Sequence, residues 1–390
     1  MRHTILNIFL LAVLLPVWNW PAKVERDIQS GQEPASGAVV CTPGVYLKTL
    51  DNCLPLGPSQ TLTEAAAKKI PYPILPLPAY KPDPALVPVP FQYFKLTNPK
   101  QAFYLFPSVD DAMASEKSNN PLGPGEVIIS YQARVENSKG VFYETMDGHW
   151  VRGDWGARLA MHQPFQGLLF SSTPRNSFGW VLGDVKSYTT PGTNTPPTGN
   201  TYHRYNILQI YDTQAAGGLT WYLIGPDEWL DSRQVGKVDP RISPPPGVNK
   251  DRWIEVNLDQ QTLAVYQDDK MIFATLVSTG IDTLWTRPGV FQIYEKKVTE
   301  DMSGFTAADR SDFYYIEDVP WTMYFDQKRA LHGAFWHDRF GYQNSHGCVN
   351  IPDGDAHWLY NWANVGDTVY VYDPSGRTPT DPALFGSGAP

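Results

Sequence analysis

Short apolar runs, many of them alternating with polar residues, follow one another along most of the chain after residue 90. Alternation of this kind, rich in β-branched and aromatic residues, is typical of strands. The clearest runs lie in the last third of the chain, at residues 253–258, 262–267, 270–278, 290–298 and 368–372. Only residues 353–362 have good helical spacing there. The pattern predicts a mainly β, multidomain fold with one or two helices.

Two of the runs resemble each other. Residues 142–151 and 221–230 each contain an aromatic pair, a turn with aspartate, and a tryptophan on the return strand. This repeat resembles a duplicated small β-barrel of the bacterial SH3-like type. We expect one SH3-like domain at residues 91–192 and a second at 200–243, which would attach the protein to the cell wall.

Proline, glycine and serine mark the joints between these regions. Prolines are dense in residues 70–90, which predicts an extended spacer at the end of a linker region, 23–90. A proline-rich recognition ligand is the alternative for that stretch. Residues 189–199 and 243–247 have the composition of joints between domains, and residues 374–390 predict a disordered tail.

The first 22 residues have the pattern of an export signal. Arg2 and His3 precede an apolar run that extends to residue 17, which is shorter than the ~20 residues of a membrane-spanning helix. A signal for the general secretion route is therefore favoured, and an uncleaved membrane anchor stays possible. Either case predicts an extracytoplasmic location, in the cell wall or at the outer face of the membrane.

The chain contains 3 cysteines, of which Cys41 and Cys53 are close in sequence. In an exported protein this spacing favours a local disulfide, which contributes about 3 kcal/mol through loop closure. Two unpaired thiols are the alternative. Pairing them would leave Cys348 as a free thiol.

The charge balance excludes one class of partner. Lysine and arginine total 31 against 40 acidic residues, a formal net charge of −9, without long charged runs. A basic surface for nucleic acid is therefore not expected.

The strongest chemical signal lies in residues 331–350, which contain Cys348 and three histidines. A nucleophilic cysteine needs a base to form thiolate and nearby donors to stabilise an oxyanion. His332 is the candidate base, and the backbone at Gly347 is a candidate oxyanion donor. Ser345 and His346 are candidates to support the base or the turn.

These residues carry a family resemblance. His332-Gly333 followed by Ser345-His346-Gly347-Cys348-Val349-Asn350 resembles the signature of the YkuD-type L,D-transpeptidase catalytic domain. Residues 253–266 are similar to that family's opening hairpin, and residues 286–291 to its Thr-Pro-x-Gly-x-Phe turn. Arg287 interrupts that turn, and Asn350 stands where many members have arginine. The resemblance covers residues 250–373 and implies a β-sandwich.

The resemblance also implies an activity. Cys348 would form a thioester with a peptidoglycan stem peptide, releasing D-alanine from a donor tetrapeptide, and an amine would then complete a 3→3 cross-link. His332 would act as base and acid, and no metal or organic cofactor is needed. His337 is expected to line the cleft or face solvent. The residues expected to bind substrate are Tyr324, Gly333, Asn344, Asn350 and Trp336.

Several alternatives share these residues. Water could take the acyl group, giving an L,D-carboxypeptidase, or the amine could belong to a wall-anchored protein. The chain could instead be a wall-binding protein with a dormant catalytic domain. A zinc site formed by His332, His337, His346 and Cys348 is a further possibility, because histidine and thiolate are zinc ligands.

Overall fold

The structure is a computed structural model of the chain. It describes residue 70 and residues 76–96, 103–123, 125–159, 165–248, 251–305 and 313–385. The predicted export signal, the predicted Cys41–Cys53 disulfide and much of the linker region lie outside the described residues. In the described part of the chain, no helix has the length and apolar character needed to span a membrane.

The described strands and helices fall into three stretches of the chain. The first stretch contains β1 Ala79–Tyr80, β2 Gln92–Leu96, β3 Phe103–Leu105, α1 Val109–Ala114, β4 Asn120–Gly123, β5 Glu126–Asn137, β6 Gly140–Thr145, β7 Trp150–Arg152, β8 Gly156–Arg158 and β9 Leu168–Phe170. The second contains β10 Ser177–Val181, β11 Val185–Tyr188, β12 Pro197–Tyr202, β13 Ile207–Ile210, β14 Asp212–Ala216, β15 Leu219–Gly225, β16 Glu228–Asp231 and β17 Val235–Val238. The third contains β18 Arg252–Asn257, β19 Thr262–Gln267, β20 Lys270–Leu276, β21 Gly289–Gln292, β22 Glu295–Gly304, β23 Tyr314–Asp326, β24 Arg329–Gly333, β25 Val349–Ile351, α2 Asp353–Trp362 and β26 Thr368–Tyr372.

The C-terminal stretch forms the core of a sandwich. One sheet contributes Ile254, Val265 and Phe273, and the other contributes Leu331 and Ile351, all buried in one cluster. Helix α2 packs into the same cluster, because its apolar side chains recur at helical spacing. The mainly β fold is confirmed. The apolar run at 290–298 is divided between β21 and β22. Strand β26 lies inside its sheet, where it pairs in parallel with β18 and antiparallel with β21.

Strands from the N-terminal stretch continue both sheets of the sandwich. In one sheet, β9 pairs with β20 and β1 pairs with β9. In the other, β5 runs parallel to β23, and β2 and β8 follow. An exposed strand edge leaves backbone N–H and C=O groups unpaired, so these additions satisfy groups that would otherwise need water. Strand pairing therefore crosses the predicted domain boundaries.

The two stretches that resemble each other in sequence fold in the same way. Strands β6 and β7 form a hairpin, followed by the 3₁₀ turn Gly153–Trp155 and β8. Strands β15 and β16 form the corresponding hairpin, followed by the 3₁₀ turn Ser232–Gln234 and β17. The second copy also pairs with β10 and β11, which precede the predicted boundary. Assignment of the SH3-like type and its boundaries stays a prediction.

The end of the proline-rich region packs against helix α2. Leu86 accepts a hydrogen bond through its carbonyl from His357 Nδ1 (3.2 Å), and Val87 lies over Gly354. A Cβ added at Gly354 would come within 2.9 Å of Val87 Cγ2. The described end of this spacer is therefore docked on the C-terminal region.

The tail prediction is wrong for residues up to 385. Thr378 and Phe385 are buried, and the Phe385 carbonyl accepts a hydrogen bond from Arg329 Nη2 (3.4 Å). The ring of Phe385 packs edge-on against Trp285. One aromatic side chain and a buried cation thus fix a segment whose composition is typical of disorder. Residues 386–390 lie outside the described residues.

Candidate active site

A short turn holds Cys348 in front of strand β25. Ser345 is buried and donates its hydroxyl to the Cys348 carbonyl (2.6 Å), while the Gly347 N–H donates to Ser345 Oγ (3.1 Å). Gly347 has φ +124°, a conformation that side-chain-bearing residues rarely adopt. The turn therefore needs both the hydroxyl and the glycine. Here the Gly347 N–H donates to Ser345 Oγ and does not point at a free oxyanion position. The oxyanion role of Gly347 therefore stays a prediction.

A neighbouring segment fixes this turn from outside. Ser278 and Asn350 exchange both backbone hydrogen bonds, at 2.9 and 2.8 Å. Thr286, fully buried, donates its hydroxyl to the Gly347 carbonyl (2.8 Å) and accepts the Gly280 N–H. The threonine of the Thr-Arg-Pro-Gly turn thus closes the cysteine turn, a role that its sequence position alone did not indicate.

The thiol of Cys348 is buried, with 4% of the residue exposed. The Ala330 N–H points at Sγ (3.4 Å), and Sγ approaches the Lys328 carbonyl at 3.8 Å. Burial raises the pKa of the thiol to about 11, although the Ala330 hydrogen bond and the charge of Arg329 act in the opposite direction. The thiol is therefore neutral at pH 7 and needs a base to become a nucleophile.

A buried charge cluster lies beside the cysteine. Arg329 is 4% exposed and pairs with Asp326 (3.2 Å), which also accepts Arg287 Nε at 2.9 Å. A buried cation needs such a partner, because an unpaired charge is costly to remove from water. Sequence reasoning noted Arg287 only as a departure from the family turn and missed Arg329. The cluster places a positive charge where it stabilises thiolate.

His332 lies in β24 and is 2% exposed. Its Nδ1 lies 2.8 Å from the Gly333 carbonyl, and a carbonyl can only accept, so Nδ1 carries the proton. Nε2 is then left with its lone pair, as a base requires. Burial lowers the pKa of His332 to about 4, which keeps the imidazole neutral at pH 7. The ring of Trp336 is stacked with the imidazole, with centroids 5.7 Å apart.

Parallel pairing brings the histidine and the cysteine to one cavity. In the register of β24 and β25, His332 is opposite Asn350, so Cys348 lies one diagonal step away on the same face. Both line a cavity of about 410 Å³. Its walls are formed by Lys95, Glu126, Met302, Tyr314, Ile316, His332, Trp336, His337, Arg339, Asn344, Ser345, His346, Cys348 and Asn350.

A second histidine is fixed beside this cavity. The Arg339 N–H donates to His337 Nδ1 (3.1 Å), so Nε2 of neutral His337 must carry the proton. The Asn350 amide lies 2.9 Å from that Nε2 and accepts through its oxygen once the amide is oriented to match. Burial lowers the pKa of His337 to about 4. Asn350 therefore orients His337, an arrangement that the sequence did not reveal.

Residues 251–371 match the model of the YkuD family, which is described as the L,D-transpeptidase catalytic domain. This region is therefore similar to an L,D-transpeptidase catalytic domain. A stretch of 121 residues is 28% identical to L,D-transpeptidase 2 of Mycobacterium tuberculosis (strain CDC 1551 / Oshkosh), covering 30% of this chain and 30% of that protein.

Two solved structures are similar to about a third of the chain. An L,D-transpeptidase (Yku) from Stackebrandtia nassauensis has 30% identity over 34% of this chain and 59% of that chain, with a TM-score of 0.27. The catalytic domain of the E. faecium L,D-transpeptidase has 28% identity over 32% of this chain and 100% of that domain, with a TM-score of 0.29. TM-scores this low support no equivalence of whole chains. The chain spans 30% of the length of L,D-transpeptidase 2 and 59% of the S. nassauensis chain. The activity of these relatives is therefore only a proposal for this chain.

Most of the predicted site residues meet at the cavity. Trp336 and Asn344 line it, and half-buried His346 packs against Tyr314 in a tilted arrangement with ring centroids 4.7 Å apart. Tyr324 is different: it packs in a small buried cluster with Ala330 and Cys348 and is not among the residues lining the cavity.

Gly333 also lies outside the cavity wall. Its carbonyl fixes the tautomer of His332, and a Cβ there would come within 2.8 Å of Asp353 Oδ1. The glycine of the His-Gly pair therefore allows close packing here. The roles in catalysis and substrate binding stay predictions.

The zinc alternative required four ligands around Cys348. Within the described part of the chain, no three histidine, cysteine, aspartate or glutamate side chains are grouped so that they could hold a metal ion.

Proposed function

We propose that this protein is an exported peptidoglycan L,D-transpeptidase that uses Cys348 as nucleophile and forms 3→3 cross-links. One observation carries the proposal. In a region that matches the L,D-transpeptidase catalytic domain, Cys348 shares a cavity with a histidine whose Nε2 holds a lone pair. A neutral thiol beside a neutral imidazole base is a pair that can start acyl transfer.

The first half-reaction transfers an acyl group to sulfur. The Cys348 thiol gives its proton to His332 Nε2 as sulfur attacks the carbonyl carbon of the residue before the terminal D-alanine. The carbon–nitrogen bond then breaks, and protonated His332 delivers the proton to the leaving amine. D-Alanine leaves, and a thioester remains on Cys348. The Arg329 charge and the Ala330 N–H favour the negative sulfur that develops in the first step.

The second half-reaction transfers the acyl group to an amine. A neutral amine of a neighbouring stem peptide attacks the thioester carbonyl and loses a proton to His332. The sulfur leaves and takes that proton back, which restores the neutral thiol and imidazole. The product contains one new amide bond between two stems, and the enzyme returns to its starting state.

Location and partners follow from the same proposal. Peptidoglycan stems lie outside the cytoplasmic membrane, so the protein would act in the cell wall after export directed by residues 1–22. The SH3-like repeats would hold the protein on the wall. Binding of the purified protein to insoluble peptidoglycan, compared with Tyr222→Ala in the buried centre of the second repeat, would measure that contribution.

The activity is tested by product analysis. Purified protein is incubated with a disaccharide tetrapeptide, and the products are identified by mass spectrometry for the wild type, Cys348→Ala and His337→Gln. A dimeric muropeptide with free D-alanine, absent only in Cys348→Ala, is expected. Tripeptide without dimer would make the enzyme an L,D-carboxypeptidase. Folded protein that gives neither product would contradict the proposal.

A further inference from the structure

One wall of the catalytic cavity comes from the N-terminal stretch of the chain. Lys95 of β2 and Glu126 of β5 line the cavity together with Met302, Tyr314 and Ile316. All five lie on strands of a single sheet, in which β25, β24, β23, β5 and β2 are successive neighbours and β22 pairs with β23. The sheet that positions His332 therefore also positions Lys95.

Strand register places the two charged residues on the face that borders the cavity. Glu126 is opposite Tyr314, and Lys95 is opposite Ile128, two residues further along β5. Residues two apart on a strand share a face, so Lys95 and Glu126 are diagonal neighbours, and they form an ion pair. Tyr314 in turn packs against His346 of the cysteine turn. The ion pair is thus linked to the cysteine turn through a single aromatic side chain.

The backbone holds this pair in place while its charges stay accessible. The Glu126 N–H donates to the Phe313 carbonyl (3.0 Å), and β2 is held between β5 and β8. The side chains of Lys95 and Glu126 are 35% and 45% exposed. An ammonium group has three donors, and Glu126 uses one of them. Lys95 can therefore bind an anion without giving up its partner.

The charge of the cavity favours such an anion. Its charged lining residues are Lys95, Glu126 and Arg339, which leave one positive charge in excess. Of the three lining histidines, His332 and His337 are neutral at pH 7, since burial lowers the pKa of each to about 4. The remaining wall is partly apolar, with Met302, Ile316 and Trp336. A carboxylate is stabilised by a cation at the edge of a cavity of this kind.

We propose that Lys95, oriented by Glu126, binds a carboxylate of the peptide that acylates Cys348. The N-terminal stretch is then part of the substrate site and not only a spacer or wall anchor. The inference rests on the proposed function. The carboxylate belongs either to the C-terminus of the donor peptide or to the side chain of one of its residues, and both have the same chemistry toward an ammonium group.

Acylation kinetics with amidated peptides test the inference. The donors are a tetrapeptide with free carboxylates, one amidated at its C-terminus and one amidated at its side-chain carboxylate. Lys95→Met should raise KM for the free peptide about tenfold with kcat nearly unchanged, since a hydrogen bond to a charged group is lost. Glu126→Gln should lower KM, because the charge of Lys95 is no longer neutralised. Lys139→Met, an exposed lysine in the turn after β5, is the matched control and should behave as the wild type.

The amidated peptides identify the carboxylate. Amidation of the carboxylate that Lys95 binds should raise the wild-type KM about tenfold, as Lys95→Met does. With that amidated peptide, Lys95→Met and the wild type should have the same KM. If Lys95→Met matches Lys139→Met, if its effect persists with both amides, or if Arg339→Met carries the whole effect, the inference is overturned.

Failure of the proposed function has a different signature. In that case no peptide acylates the wild type. Calorimetric binding of the same peptides to Cys348→Ala, with and without Lys95→Met, still measures the role of Lys95, because it needs no turnover. Equal binding by both proteins would reject that role.

Discussion

The ionisation states at Cys348 and His332 predict an unusual pH profile for acylation. Burial raises the thiol pKa to about 11 and lowers the imidazole pKa to about 4. Complete proton transfer between them in the resting enzyme would then cost on the order of 10 kcal/mol, at 1.36 kcal/mol per pKa unit. The resting pair is therefore neutral, and the proton moves as the sulfur–carbon bond forms.

The consequence is a rate that does not follow thiolate concentration. His332 is in its basic form at every pH above its pKa, so the wild-type acylation rate should be flat from about pH 5 to pH 9. Replacing the base by His332→Gln leaves only free thiolate as nucleophile. At pH 7 that fraction is about 10⁻⁴ for a thiol with a pKa near 11, and it increases tenfold for each pH unit.

Single-turnover acylation by a tetrapeptide, followed by intact-protein mass spectrometry between pH 5 and 9.5, distinguishes the two profiles. His332→Gln should be slower than the wild type by several orders of magnitude at pH 6 and approach it at high pH. His337→Gln, which changes the other neutral histidine of the cavity, should keep the flat profile. A wild-type rate that rises tenfold per pH unit, or a flat profile in His332→Gln, would refute the reasoning.

Three further predictions concern the turn, the helix and the docked segment. Gly347→Ala should lower stability by about 1–3 kcal/mol, because φ +124° is strained for alanine even though the space around its Cβ is adequate (3.4 Å to Arg329 Nε). It should also lower the acylation rate, because the strained turn holds Cys348, whereas Gly376→Ala, at φ +70° in open space, should keep the wild-type rate; equal acylation by both variants in a stopped-flow assay would reject this. Asp353 is buried with its pKa raised to about 8, so the folded state holds its proton more tightly than the unfolded state, and stability falls as pH rises from about 4 to 8. Asp353→Asn should therefore be more stable than the wild type at pH 8.5 by more than about 1 kcal/mol and lose this advantage at pH 5, in thermal melts; a constant difference would contradict it. Gly354→Ala should increase amide hydrogen exchange at Leu86 and Val87, because the added Cβ would come within 2.9 Å of Val87 Cγ2. The double variant Gly354→Ala/Val87→Ala should regain protection. Unchanged exchange in Gly354→Ala would show that the segment is not held at this contact.

Local pattern predicted much of the C-terminal fold. The alternating runs became β18, β19, β20 and β26, and helix α2 has the predicted bounds, 353–362. Each of these elements has a periodicity that its own residues specify. The cysteine box was equally local, since Ser345, Gly347 and Cys348 close one turn with their own hydrogen bonds.

The sequence did not predict which distant strands pair with each other. The alternation in 126–137 indicates a strand, but not that β5 would run parallel to β23 and bring Glu126 to Tyr314. Register between distant strands depends on which edges are exposed in three dimensions. For this reason Lys95 was not recognised as a cavity residue.

Buried polar contacts were also hidden. Nothing in the sequence pattern marks Arg329 or Asp326, but both are buried and form an ion pair. Phe385, in a tail rich in proline, glycine and serine, is buried because it packs on Trp285. Tyr324 looked like a cleft residue, yet it packs against the cysteine itself. Such contacts join residues far apart in the chain, so composition cannot predict them.

The most direct test of the central claim is to locate the acyl group. The purified wild type and Cys348→Ala would be incubated with a tetrapeptide donor, quenched in acid, and mapped by tandem mass spectrometry of the proteolysed protein. We predict an adduct with the mass of the donor minus D-alanine, attached to Cys348 through a thioester, and no adduct in the variant. An adduct on another residue, or turnover by Cys348→Ala, would contradict the account.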